Sequence, residues 1–266
     1  MRPFRFALLA LSLLMLAACG EKQEPYVEKP VEDLYNTALN TLEDRLYLKA
    51  ARQFEEVERQ HPYSAWATKA QLMAGFSFYQ GNKYEEAVAA LDQFIELHPS
   101  HRDAPYAYYL KGLAYYEQIA DVGRDQEVTD RALKSLDEVI RRFPDSRYAR
   151  DARLKLDLTR NHLAGKEMEI GRYYLRLGQY LAAINRFRRV IENYQTTEQV
   201  PEALLRLTEA YLSLGVREEA QQAAAVLGFN YPGSTWYKDA YARLAKEGLE
   251  PSEGKGWFGR TFGSLF

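Results

Sequence analysis

The chain has 266 residues, 35 basic and 37 acidic side chains, one cysteine and four histidines. The near balance of charge excludes a global basic field for nucleic acid, and a lone cysteine excludes an internal disulfide scaffold. The length allows a sizeable core, and four histidines leave little for metal or acid–base chemistry.

Residues 1–18 read as a secretory signal rather than as part of the fold. Arg2 and Arg5 give a positive start, and Phe6 to Leu16 form an apolar run interrupted by Ser12. That run is too short to cross a hydrocarbon layer of about 30 Å. Small residues follow it in Leu16-Ala17-Ala18-Cys19, the position of a cleavage site. The tetrad resembles a bacterial lipobox, which implies cleavage after Ala18 and acylation of Cys19. The lipid implied is a diacylglycerol thioether with an N-acyl chain, and no other cofactor is expected. More than one acyl chain gives stable anchoring. Gly20 follows the cysteine, not the Asp that retains many such lipoproteins in the inner membrane. The resemblance therefore implies the periplasmic face of the outer membrane. Residues 19–30, charged and holding Pro25 and Pro30, read as a flexible tether.

From Val31 onward, apolar residues recur at helical period, with Gly and Pro between the segments, which predicts an all-α protein. The segments repeat. Gly75, Ala87 and Pro99 stand twelve apart, with Phe78, Leu91 and Phe94 between them. Ala38, Ala50, Phe54, Val57 and Pro62 keep the same offsets, as do Thr208, Tyr211, Ala220, Ala224, Leu227 and Pro232. Gly112, Tyr115, Ala132, Leu136, Val139 and Pro144 fit with eight residues inserted, which lengthens a loop around Asp121 to Thr129. Gly171, Tyr174, Ala183, Phe187 and Val190 complete the set, with Gln195 where proline is expected. This pattern resembles the tetratricopeptide repeat, a helix–turn–helix unit of about 34 residues. In it, the small residue on helix A and the Ala on helix B mark the closest approach of the pair. Gly81-Asn82, Gly178-Gln179 and Gly215-Val216 mark the turns within units.

The expected architecture is a right-handed α-solenoid of about five repeats with a C-terminal capping helix near Trp236 to Glu247. Residues 31–146 hold the first three units and residues 147–248 the last two with the cap. Arg147 to Gly165 lacks proline and predicts an overlong helix at the start of the fourth unit. Residues 249–266 form an aromatic tail with Trp257, Phe258, Phe262 and Phe266, read as flexible or as a partner or membrane-interface segment.

In such a solenoid, helix A lines the concave side. Fixed offsets from the small position select Tyr35, Leu39 and Leu42, then Leu72, Phe76 and Tyr79, then Tyr106, Tyr109, Leu113 and Tyr116. The leucines serve equally as core between units or as groove. The tyrosines suit a partly wet groove, since each hydroxyl needs a partner and each ring offers large area. Such a groove fits an extended peptide. In the fourth unit, Asn185, Arg186, Arg188 and Arg189 surround Phe187 and form a second candidate surface, because arginine is enriched at interfaces. His98 and His101 stand three apart in a loop with no third ligand, so no metal is expected. No phosphate loop, nucleophile elbow or zinc-protease motif occurs, so no enzyme activity is expected.

Signal, cysteine, tether and five repeats together resemble the BamD (ComL-like) family of outer-membrane assembly lipoproteins. The first two repeats, Lys111-Gly112-Leu113, the long helix and Asn185-Arg186 carry the resemblance most specifically, while Gln195 and the aromatic tail depart from it. It implies a part in inserting β-barrels into the outer membrane. The partners implied are the POTRA domains of BamA at the C-terminal repeats, the lipoproteins BamC and BamE, and unfolded barrel substrates at the N-terminal repeats. A scaffold for peptidoglycan-synthesising enzymes is the alternative.

Overall fold

The computed structural model describes residues 28–252; Cys19 and the Trp257 to Phe266 tail lie outside the described residues. Eleven helices and no strand occur among them: α1 (Val31–Glu43), α2 (Tyr47–Gln60), α3 (Ala65–Gln80), α4 (Tyr84–Leu97), α5 (Ala104–Tyr116), α6 (Glu127–Arg142), α7 (Arg147–Arg176), α8 (Tyr180–Asn193), α9 (Val200–Ser213), α10 (Arg217–Asn230) and α11 (Thr235–Lys246). Each helix packs on the next in sequence. Each first helix of a pair also touches the first helix of the following pair, α1 on α3, α3 on α5, α5 on α7, α7 on α9 and α9 on α11. That is the stacking of a tetratricopeptide solenoid. The apolar interior is accordingly a row of clusters handed from unit to unit rather than one central mass.

The fully buried Phe54, Phe94 and Phe187 anchor three of the second helices. Burying each such ring stabilises the fold by about 1.5–3 kcal/mol. The small positions face the large residues Leu91, Leu136 and Phe187 rather than the alanines four positions before them. A Cβ on Gly75 would lie 2.8 Å from Leu91 Cδ2, one on Gly112 3.1 Å from Leu136 Cδ2, and one on Gly171 would overlap the Phe187 ring. The repeat thus pairs a missing side chain with a bulky one, and the alanines Ala50, Ala87, Ala132, Ala183 and Ala220 are buried beside that contact.

The turns refine the glycine reading. Gly178 and Gly215 take positive φ of 70° and 75°, but in the first two units the left-handed residues are Arg45 at 60° and Asn82 at 56°. Gly81 has φ of −83°. It is needed for space instead, because Leu48 Cδ2 lies 2.8 Å from where its Cβ would be.

Proline is not what ends every second helix. The residues after α2, α4, α6, α8 and α10 are His61, His98, Phe143, Tyr194 and Tyr231, all with φ between −131° and −133°. Four of them precede proline, which disfavours helical backbone at the residue before it. Tyr194 precedes Gln195 and stops in the same way, its carbonyl accepting from Thr197 N at 3.1 Å and Thr197 Oγ1 at 2.8 Å. Three of the following helices begin on a serine cap: Ser64, Ser146 and Ser234 accept from the amides of Ala67, Ala149 and Tyr237. The third unit's long connection runs from residue 117 to residue 126, so the last part of the insertion is already helical. α7 runs unbroken for 30 residues, its first half packed on α5 and α6 and its second on α8 and α9.

Candidate functional site

The aromatic stripe of the third unit meets α7. Tyr148, near the start of α7, lies 5.3 Å from Tyr109 with 28° between ring planes and 5.4 Å from Tyr106. Tyr109 donates its hydroxyl proton to Asp151 Oδ2 at 2.5 Å. Lys155, one turn further, sits 5.2 Å over the Tyr116 ring and 3.4 Å from Asp151. Residues 148, 151 and 155 share one face of α7 because they are three and four apart. Tyr79 of the second unit joins the stripe, and Phe76, Leu113 and Tyr116 are half-buried along it. Burial, and after it the nearby Glu117 carboxylate, pushes the Tyr79 hydroxyl up to about 12. Burial likewise pushes Tyr106 to about 12, and burial with the Asp151 hydrogen bond raises Tyr109 further. These phenols therefore stay neutral near pH 7 and act as hydrogen-bond donors and acceptors on a half-exposed aromatic wall.

The other residues selected from the sequence divide by depth. Tyr35 and Leu72 are buried at 8% exposure each, so they belong to the core and present little surface to a ligand. Tyr35 packs against Phe54 at 5.4 Å and under Trp66 at 4.8 Å, so the next unit covers it. Leu39 and Leu42 are half-buried at the edge of the same cluster. Tyr35, Leu72 and Tyr109 occupy one repeat position, three residues before the small one. Only Tyr109, whose tip reaches α7, remains half-exposed.

Sequence reasoning missed Tyr148, Asp151 and Lys155. A signal existed: Pro62-Tyr63-Ser64-Ala65-Trp66, Pro144-Asp145-Ser146-Arg147-Tyr148 and Pro232-Gly233-Ser234-Thr235-Trp236 share a Pro-x-Ser-x-aromatic pattern. In the first two of these, the aromatic lands on the tyrosine three before the small position of a preceding unit, Trp66 on Tyr35 and Tyr148 on Tyr109.

The arginines of the fourth unit divide between two carboxylates. Arg186 Nη1 lies 3.1 Å from Glu167 Oε2 of α7, and Arg189 Nη1 is 3.5 Å from Glu167 Oε1. Arg188 faces Glu192 on its own helix at 3.8 Å, and Asn185 is exposed. The charges continue along successive first helices: Arg172 to Glu202 at 3.0 Å, Arg206 to Glu202 and Glu209 at 3.2 and 2.9 Å, and Arg243 to Glu209 at 2.5 Å. The second half of the solenoid thus carries a lattice of ion pairs where the first half carries tyrosines.

His98 Nε2 is 2.9 Å from Gln71 Oε1, and Gln71 donates to Glu58 at 2.6 Å. His98 therefore serves a polar link between units. Among the described residues no group of three His, Cys, Asp or Glu side chains is placed to hold a metal, and no helix is long and apolar enough to cross a membrane.

Comparison with known proteins gives the family. The YfiO family, described as outer membrane lipoprotein, matches residues 27–227. The outer membrane protein assembly factor BamD of Caulobacter vibrioides is 52% identical over 241 residues, covering 89% of this chain and 79% of that protein. The protein of that name in Rickettsia prowazekii is 46% identical over 240 residues, covering 90% and 95%. One from Neisseria meningitidis is 33% identical over 251 residues, covering 88% and 94%. Among solved structures, a thermophilic TPR protein of Thermus thermophilus is similar at TM-score 0.38 and 19% identity, covering 80% of this chain and 98% of that one. The chain belongs to the YfiO family of outer membrane lipoproteins, the family of the BamD assembly factors.

Proposed function

We propose that this protein is a lipoprotein subunit of the machinery that assembles β-barrels in the outer membrane, and that it holds an extended segment of unfolded barrel protein in its tyrosine groove. The observation that carries the reading is the wall formed by Tyr106, Tyr109 and Tyr148 across two units. It offers aromatic area for apolar side chains, and its neutral hydroxyls can pair with an extended main chain. The relatives' shared name, outer membrane protein assembly factor, supports the setting. Binding aligns the substrate; no bond is made or broken.

The second half of the solenoid docks the barrel-forming partner, BamA, through its POTRA domains, with Asn185, Arg186, Arg188 and Arg189 on α8 as the contact. BamC and BamE complete the assembly. Acyl chains on Cys19 hold the protein to the periplasmic face of the outer membrane, with residues 19–30 as the tether. The apparatus needs no cofactor besides that lipid.

Affinity capture of the tagged full chain from bacterial envelopes in mild detergent, followed by mass spectrometry, tests the reading. Recovery of a POTRA-containing barrel protein together with outer-membrane proteins is expected. Recovery of wall synthases with no barrel protein would contradict it.

A further inference from the structure

The tyrosine groove differs in charge between its two ends. Arg147 stands where α7 begins; its guanidinium lies 4.8 Å over the Tyr148 ring and Nη2 donates to the Tyr148 hydroxyl at 2.7 Å. The first turns of α5 and α7 carry no acidic residue, and the positive ends of the two helix dipoles lie there. Two acids flank that end, Asp103, which lies 3.4 Å from Arg102, and Asp145, exposed in the turn before α7, against the cations Arg102, Arg147 and Arg150. Midway, Lys155 and Asp151 neutralise each other at 3.4 Å. The far end is acidic. It holds the C-terminus of α5, Glu117 and Asp121, around a cleft of about 450 Å³ lined also by Tyr116, Ile119, Leu158 and His162. Its wall is fixed, since Asp121 accepts from Gly123 N at 2.8 Å and its carbonyl accepts from Arg124 N and Gln126 Nε2. His162 Nε2 is buried there without a hydrogen-bond partner.

We propose that the groove takes its peptide in one orientation, with a carboxylate at Arg147, a cationic end at Glu117 and Asp121, and an apolar side chain in the cleft between Ile119 and Leu158. The proposal rests on the peptide-groove reading above and adds to it the direction and charge of the ligand. From Arg147 to His162 the helix rises roughly 22 Å, the length of about seven extended residues. The reverse orientation would set a carboxylate against Glu117 and Asp121 and leave Arg147 facing a cation. In the favoured one, a turn of the His162 ring brings its unpartnered Nε2 to a main-chain group of the residue that fills the cleft.

The test uses the full chain and two seven-residue peptides alternating phenylalanine and serine, each made in two versions with a photo-reactive group at one end or the other. The first carries lysine at its start and a free C-terminal carboxylate. The second is N-acetylated and carries glutamate at its start, lysine at its end and an amidated terminus. Cross-links from the carboxylate-bearing end should fall on residues 147–151, and those from the lysine end on residues 117–121 or 158–162. If both peptides orient in this way, a carboxylate of either origin is read. If only the first binds, the terminal carboxylate is read. Arg147→Glu should weaken binding about tenfold and scramble the cross-link pattern. Cross-links falling equally at both ends with wild-type affinity intact would overturn the orientation and leave the groove standing. Failure of both peptides to bind would overturn both readings.

Discussion

Tyr148 stacks on Tyr109 at 5.3 Å although the two belong to different units, and Trp66 covers Tyr35 at 4.8 Å by the same sequence relation. In the first unit this contact seals the core; in the third it opens at the surface, because Tyr109 extends past it to Asp151. Tyr148→Ala should lower stability by about 1–3 kcal/mol in urea denaturation, the ring contact contributing beyond area alone. Tyr148→Phe should lower it by well under 1 kcal/mol, since the hydroxyl's partner is an exposed arginine. Equal losses in the two variants would show that the ring is not what holds the wall.

Glycine spacing separates steric need from tolerance. Gly171→Ala would drive a methyl into the fully buried Phe187 ring and should destabilise the fold by about 1–3 kcal/mol. Gly165→Ala, on the same helix, meets only Val122 Cγ1 at 3.6 Å and should stabilise it by up to about 1 kcal/mol through helix propensity. Thermal melts of the two variants beside the parent should therefore move in opposite directions.

His98 gives the fold a pH dependence. Burial, and then the neighbouring His101, hold its pKa below the ordinary histidine value. The unfolded chain therefore binds more protons than the folded one just below about pH 6.5. The contribution is complete above that value and is lost as pH falls through it toward the folded pKa. Stability by urea denaturation should be lower at about pH 5.5 than at about pH 7.5. His98→Gln, which keeps a side chain able to meet Gln71, should reduce that difference. An unchanged slope in the variant would show that His98 is not its source.

Arg186 has a structural duty that complicates a simple charge reversal. Glu167 is only 17% exposed and takes Arg186 at 3.1 Å, so Arg186→Glu would set two carboxylates together and should destabilise the fold by about 2–4 kcal/mol. Exchanging the pair, Arg186→Glu with Glu167→Arg, should recover most of that loss in denaturation while still weakening capture of the barrel partner. Restored capture in the exchanged variant would mean that Arg186 serves the fold and not the partner.

The fold was legible because the repeat rests on volume: a glycine at one offset needs a phenylalanine or leucine at another, and Gly75 with Leu91 or Gly171 with Phe187 satisfy that rule in one dimension. Depth was not legible. Tyr35, Leu72 and Tyr109 share an offset, but whether a ring tip reaches water depends on the next unit, which places Trp66 over one and Asp151 beside another. The fourth-unit arginines read as one cluster because they are consecutive, yet helical rotation turns Arg186 toward Glu167 and Arg188 toward Glu192. Tyr148, Asp151 and Lys155 escaped notice because the first half of α7 precedes the fourth unit's small position, outside the offsets that define a groove.

The most direct measurement replaces Tyr106 with a photo-cross-linking phenylalanine analogue in the full chain and, in a parallel sample, replaces the exposed Leu97 in the same way. Each is irradiated with an unfolded outer-membrane barrel protein. The groove account predicts cross-linking from position 106, reduced by a second substitution Tyr148→Ala, and little from position 97. Equal yields at the two positions, or none at 106, would contradict it.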